Sequence, residues 1–233
     1  MESTPILHVN AFLRRYQFIT VCHVVEHDMG GHSTALVEFL KKRTRRLLYV
    51  GLPFYYSRDR TPLTRSYASG VLASEKRSIV SSSIRRIQLV CYVHDLVYTL
   101  YHCAVQKRRD SVYVGYDCLN ALAGIILRRL RLVRMVIYYV IDYTPSRFPI
   151  RLLNFMYHSL CRFSGRHSDC VWTLTRRMNQ AYLAMGILPK KALIVPTGAY
   201  PRARTPCSES SGRKIAFIGH LVKGKGLDVV IRA

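Results

Sequence analysis

The chain has 233 residues, 49% hydrophobic and 21% charged, without a low-complexity tract; this excludes a disordered or fibrous protein and leaves room for one large domain or one and a half ordinary ones. Thirty-six Lys+Arg against 13 Asp+Glu give a net charge of +23, which favours anionic partners: phosphate, nucleic acid or acidic lipid headgroups. Seven cysteines form no CxxC pair and no zinc spacing, so they read as buried thiols in a reducing cytosol.

Phe18 to Val25 reads as a buried strand. Gly30-Gly31 turns the chain, and Ala35, Leu36, Phe39 and Leu40 give the next helix one apolar face. Leu47 to Val50 is a second strand, closed by Gly51 and Pro53. Residues 54–78 are polar, aromatic and irregular, and read as a long surface loop shaping a ligand site. Ile84 to Val105 reads as a helix, whose His94, Asp95 and His102 argue against a membrane span. Then come a strand (111–115), a helix (117–130), a strand (135–141), a helix (151–164) and a strand (170–174). Thr175 is placed to cap a helix that Gly186 ends, and Leu193 to Val195 is one more strand. Basic clusters at 41–46, 107–109 and 128–131 fall where helices end, where cations complement the dipole.

Continuous apolar strands alternating with helices predict a parallel sheet covered on both faces, an α/β Rossmann-like domain over residues 1–199. A Pro/Ser/Arg linker occupies 200–213. Residues 214–233 read as the start of a second Rossmann-like unit: the strand Lys214 to Gly219, a glycine turn bearing Lys223 and Lys225, and a helix opened by Leu227, Val230 and Ile231. Backbone N–H groups and the helix dipole at such a turn make an anion site. A lone strand and part of a helix are not a domain, so the expectation is one whole domain plus the first piece of another.

Ligands of an open parallel sheet bind beyond the carboxyl ends of its strands. That rule selects Glu26-His-Asp-Met-Gly-Gly-His32 after the first strand, Tyr116 and Asp117 after 111–115, Asp142 after 135–141, Thr175, and Thr197-Gly198. Asp117 reads equally as a helix N-cap. His23, inside an apolar strand, reads as a core histidine, whereas His27, His32 and His220 flank turns or strand ends. No G-x-G-x-x-G follows the first strand, and there is no Walker A loop, G-x-S-x-G elbow or His-Glu-x-x-His. No Asp-x-Asp occurs either, so neither a metal nor another cofactor is indicated.

Three motifs in order carry a resemblance: Glu26-His-Asp-Met-Gly-Gly-His-Ser33, Val195-Pro-Thr-Gly198, and Ala216-Phe-Ile-Gly-His-Leu followed by Lys225-Gly-Leu-Asp-Val-Val-Ile-Arg-Ala233. Together they resemble the glycosyltransferase family four pattern of the GT-B fold. Tyr113 to Gly124, Ile137 to Tyr143, and Arg147-Phe148 look like one branch of that family. The resemblance implies an N-terminal acceptor domain facing a C-terminal nucleotide-sugar domain. It assigns Lys225 to the donor diphosphate, within the loop of Gly219, His220 and Lys223, and Gly30 and Gly31 to the acceptor-side phosphate loop. His220 stands where the family usually has arginine, replacing a fixed bidentate clamp by a titratable donor, mostly neutral at pH 7. Many relatives carry histidine after the strand at 111–115; Asp117 here is a candidate for that polar role, with His32 and Asp142 as further acid–base candidates.

The family's paired-glutamate motif would lie beyond Ala233, so the expectation is a glycosyltransferase fragment giving no turnover alone. The expected reaction moves a sugar from a nucleotide-diphosphate donor to an acceptor hydroxyl with retention. The expected partners are that donor, a sugar or lipid-linked acceptor, and an anionic membrane surface reached from the cytoplasm. Two alternatives stand beside it. One is a non-catalytic half needing a partner chain. The other is a basic nucleic-acid module, allowed by charge and 16 tyrosines but lacking a helix-turn-helix, zinc-finger or RNA-recognition signature.

Overall fold

A computed structural model describes residues 15–24, 32–54, 57, 59–78, 88–106 and 111–197. The chain divides into the units Met1–Ala199 and Tyr200–Ala233, and every described residue belongs to the first. Its elements are β1 (Phe18–Val24), α1 (His32–Lys41), β2 (Arg46–Leu52), β3 (Leu63–Ala68), β4 (Val71–Arg77), α2 (Gln88–Val105), β5 (Val112–Tyr116), α3 (Cys118–Arg129), β6 (Met135–Val140), α4 (Arg151–His167), β7 (Cys170–Thr173), α5 (Arg176–Ala184) and β8 (Ala192–Ile194).

The strands form one eight-stranded sheet in the order β4-β3-β2-β1-β5-β6-β7-β8. From β2 to β8 all neighbours are parallel, while β3 and β4 add antiparallel. The central strands are buried on both faces, which is why they read as unbroken apolar runs. On one face Cys22, Val50, Tyr113, Ile125 and Val136 pack with Tyr98 and Cys103 of α2. On the other Val21, Leu47, Val114, Tyr116 and Ile137 pack with Val37 and Leu40 of α1. A third cluster joins Cys118 and Ala121 of α3 to Tyr138, Cys161 and Tyr182. This is a Rossmann-like α/β fold.

The strands read from the sequence between residues 18 and 195 recur with ends shifted by one or two residues, the usual play at element boundaries, while the strand and helix read at 214–233 lie outside the described residues. Thr175 caps α5, its hydroxyl accepting the Met178 N–H at 3.2 Å, and Gly186 ends the segment at φ 84°. The loop expected over 54–78 is corrected. Residues 63–77 form a hairpin turned by Ser69 (φ 49°) and Gly70 (φ 87°), two positive φ values as in a type I′ turn. Strand β4 is exposed throughout, and Glu75, Lys76 and Arg77 blunt this sheet edge against further pairing. Cys22, Cys91, Cys103, Cys118 and Cys161 are buried thiols, in no disulfide. Among the described residues no helix is long and apolar enough to cross a membrane.

Candidate functional site

Strand order reverses at β1: from β1 the chain runs to β2 on one side, while β5 lies on the other. The helix after β1 packs on one face of the sheet and the helix after β5 on the opposite face. A crevice opens at such a switch point, beyond the carboxyl ends of the strands.

Strand β5 enters this crevice through Gly115-Tyr116-Asp117. A Cβ on Gly115 would sit 2.7 Å from Ala121 N and 2.8 Å from Asn120 O, so only glycine lets the first turn of α3 rest on the strand. Asn120 ties that turn down by donating from Nδ2 to the Tyr116 carbonyl at 2.6 Å. Asp117 follows at φ 78° and ψ 159°, a region essentially reserved for glycine. Its N–H donates to Tyr139 O at 3.1 Å, its carbonyl accepts from Ala121 N at 3.0 Å, and its carboxylate accepts from Cys118 N at 3.0 Å. The N-cap reading of Asp117 therefore holds. A cap by itself needs no positive φ, since caps ordinarily use extended backbone.

Beyond β6 the chain forms a platform bound to α4. His158 donates from Nε2 to Pro145 O at 2.8 Å, the Phe148 N–H donates to Asn154 Oδ1 at 2.9 Å, and Asn154 Nδ2 donates back to Phe148 O. The platform presents Arg147, whose Nη1 lies 3.6 Å from Asp142 Oδ2 and whose guanidinium sits 5.2 Å from the Tyr157 ring centroid. Desolvation works against the Arg147 cation, but Asp117, Tyr157 and Asp142 outweigh it and raise its pKa. The Tyr92 phenol of α2 is pushed up by burial, and it senses both Arg147 and Asp117; Gln88 Nε2 donates to its hydroxyl at 2.5 Å. Asp117, Asp142 and Arg147 thus belong to one electrostatic group bordered by Tyr92 and Tyr157. The Asp142–Arg147 pair with the Tyr157 ring beside it suits a polyhydroxylated or anionic ligand.

Asp117 and Asp142 are brought into this group through Arg147. His32 opens α1 on the opposite face, and only its backbone is described. Gly30, Gly31, Gly219, His220, Lys223 and Lys225 lie outside the described residues. His23 is a core residue, 3% exposed, with Nδ1 2.9 Å from Ser33 Oγ and its ring 4.5 Å from that of Tyr116. Burial raises the Tyr116 phenol far above its ordinary pKa, and its hydroxyl has no hydrogen-bond partner among the described residues. It is a neutral wall, not a base.

Sequence reasoning missed Tyr92 and Tyr157 and gave Arg147 no role. Arg147 entered the sequence reading only as part of the Arg147-Phe148 resemblance, with its place after a buried strand as the one local signal. Cys118 and Cys161 are buried thiols as read, but their meeting was not foreseen: they share one cluster with Tyr138 and Tyr182, where Cys118 draws the Cys161 thiol below its ordinary pKa against burial. Among the described residues no three His, Cys, Asp or Glu side chains converge on a metal-sized site.

No protein-family model matches the sequence, and no curated protein matches it. Among solved structures the chain is similar to UDP-N-acetylglucosamine 2-epimerase from Rickettsia bellii, with 13% identity and a TM-score of 0.42. The match covers 78% of this chain and 45% of that one, so the chain spans less than half of that neighbour's length. The Rossmann-like assignment rests on this chain's own strand order and connections.

Proposed function

We propose that this chain supplies the acceptor side of a retaining glycosyltransferase, holding an acceptor hydroxyl at the carboxyl edge of the sheet while a sugar arrives from a nucleotide-diphosphate donor. The observation that carries this reading is Asp117, kept in a strained conformation at the switch point and grouped electrostatically with Arg147 and Tyr92. The ordered motifs of the sequence supply the reaction class.

In the transfer, the acceptor oxygen forms the new bond to the sugar's anomeric carbon, and the bond from that carbon to the diphosphate breaks. The hydroxyl proton passes to a base or to the leaving diphosphate. We assign Asp117 to hold that hydroxyl, and Asp142 to orient Arg147 towards an anionic or polyhydroxylated acceptor. By the resemblance we keep Gly30 and Gly31 for the phosphate, and His32 beside them as an acid–base candidate. We keep Gly219, His220, Lys223 and Lys225 as the residues that the resemblance assigns to the donor diphosphate, where fixed donors stabilise developing charge most. The acceptor is a sugar, free or lipid-linked, presented at the cytoplasmic surface of a membrane.

Hydrogen exchange with and without free and lipid-linked saccharides tests this reading. Protection of residues 88–92, 115–118 and 142–157 by a saccharide, reduced in Asp117→Asn, is the expected result. Protection of those peptides by nucleic acid and by no saccharide would replace the reading with a nucleic-acid module.

A further inference from the structure

The first two turns of α4 carry a second apolar face. Tyr157, Leu160 and Cys161 look inward to the third core cluster. Leu152, Phe155 and Met156, spaced i, i+3, i+4, look outward instead, 65%, 69% and 57% exposed, and Ile150 before them is 57% exposed. At about 100° per residue this outer stripe lies opposite the core stripe, with Arg151, Arg162 and Arg166 along its flank. From Tyr143 to Ser168 the chain has four arginines and no acid. An exposed apolar stripe on a packed helix is costly in water unless something covers it.

We propose that α4 docks the chain on a membrane rich in anionic lipid, its outer stripe entering the headgroup–acyl boundary and its arginines engaging lipid phosphates. Charge selects this occupant. A second copy would bring two arginine-flanked stripes together within a chain of net charge +23. Nucleic acid would pair with the arginines and leave the stripe in water. A helix apolar on one side, cationic beside it and free of acids is the interfacial pattern, with an immersion of about 5–10 Å. Helix α2 supplies the contrast. Leu89, Val93, Val97, Tyr101 and Val105 are also exposed along it, yet Gln88–Val105 itself holds no Lys or Arg, so that stripe has no cation along its flank; Arg85-Arg86 and Lys107-Arg108-Arg109 lie only beyond its two ends in sequence. This docking does not depend on glycosyl transfer.

Sedimentation with phosphatidylcholine vesicles, with or without phosphatidylserine, tests the proposal on the full chain. Wild type should bind the phosphatidylserine vesicles and release with salt. Phe155→Glu/Met156→Glu should weaken partitioning by at least about tenfold. Arg162→Gln and Arg166→Gln should weaken it about fivefold each, the equivalent of ~1 kcal/mol per cation removed. Val97→Glu, on the uncharged stripe, should bind as wild type does. Phe155→Trp should add blue-shifted emission on vesicle binding, a readout free of destabilisation by the acidic pair. Equal loss in Val97→Glu and Phe155→Glu/Met156→Glu, undiminished binding of the latter, unshifted emission from the Phe155→Trp variant, or binding indifferent to phosphatidylserine would each overturn it. So would a dimer in size-exclusion chromatography that Phe155→Glu/Met156→Glu dissociates while vesicle binding persists.

Discussion

Replacing Asp117 by glycine should stabilise the domain while weakening its site. The residue sits at φ 78° and ψ 159°, where a side chain costs ~1–3 kcal/mol that glycine does not incur. Against this relief, glycine gives up the carboxylate that caps Cys118 N, a loss of only a few tenths of a kcal/mol for a glycine cap. It also frees the unfolded chain, costing ~0.4–1 kcal/mol. The balance is a gain of about 1 kcal/mol, or about 2–4 °C in melting temperature for a domain of this size. Alanine is the control: it keeps the strain and removes the cap, so Asp117→Ala should lose about 1 kcal/mol. Urea titration of the three proteins, with thermal melts in parallel, reads the order glycine, aspartate, alanine. A glycine variant at or below the alanine variant would show that position 117 is not strained, and the case for a functional constraint there would lose its footing.

Other substitutions probe the supports around the site. Gly115→Ala forces a Cβ to within 2.7 Å of backbone atoms in α3, which cannot swing aside, and should cost ~1–3 kcal/mol in urea unfolding. Ser33→Ala removes the hydroxyl 2.9 Å from buried His23 Nδ1 and should cost ~0.5–1.5 kcal/mol by the same assay. Alkali should destabilise the fold: burial raises Cys22 from 9.0 to about 12, so stability is intact below pH 9 and falls as pH climbs through that window, because the unfolded chain releases its proton first. Cys22→Ala should flatten that loss in thermal melts taken across the window.

The sequence made the sheet legible because burial on both faces left continuous apolar runs at β1, β5 and β6, and glycine or proline closed several of them. It also placed Asp117 and Asp142 correctly, since a residue directly after a buried strand must emerge at the carboxyl edge. The hairpin stayed hidden for a physical reason. Strands β3 and β4 sit at the sheet edge, β4 is solvated along its length, and neither keeps a strand's alternation: Val71-Leu72-Ala73 gives way to Ser74-Glu75-Lys76-Arg77, and Ser69-Gly70 was the one turn signal. Arg147 and Tyr157 were not assembled with Tyr92 and Asp117 because these come from segments distant in sequence. Nothing local in 88–92 or 141–157 announces that their charges sense Asp117.

The most direct test of acceptor binding at the carboxyl edge is an NMR titration of the isotope-labelled chain with saccharide acceptors, free and lipid-linked. Binding at the proposed site predicts saturable shifts of the Gly115, Asp117 and Arg147 amides, with affinity lost in Arg147→Ala and reduced in Asp117→Asn. Saccharide binding that leaves those amides unmoved, or that persists unchanged in both variants, would contradict it.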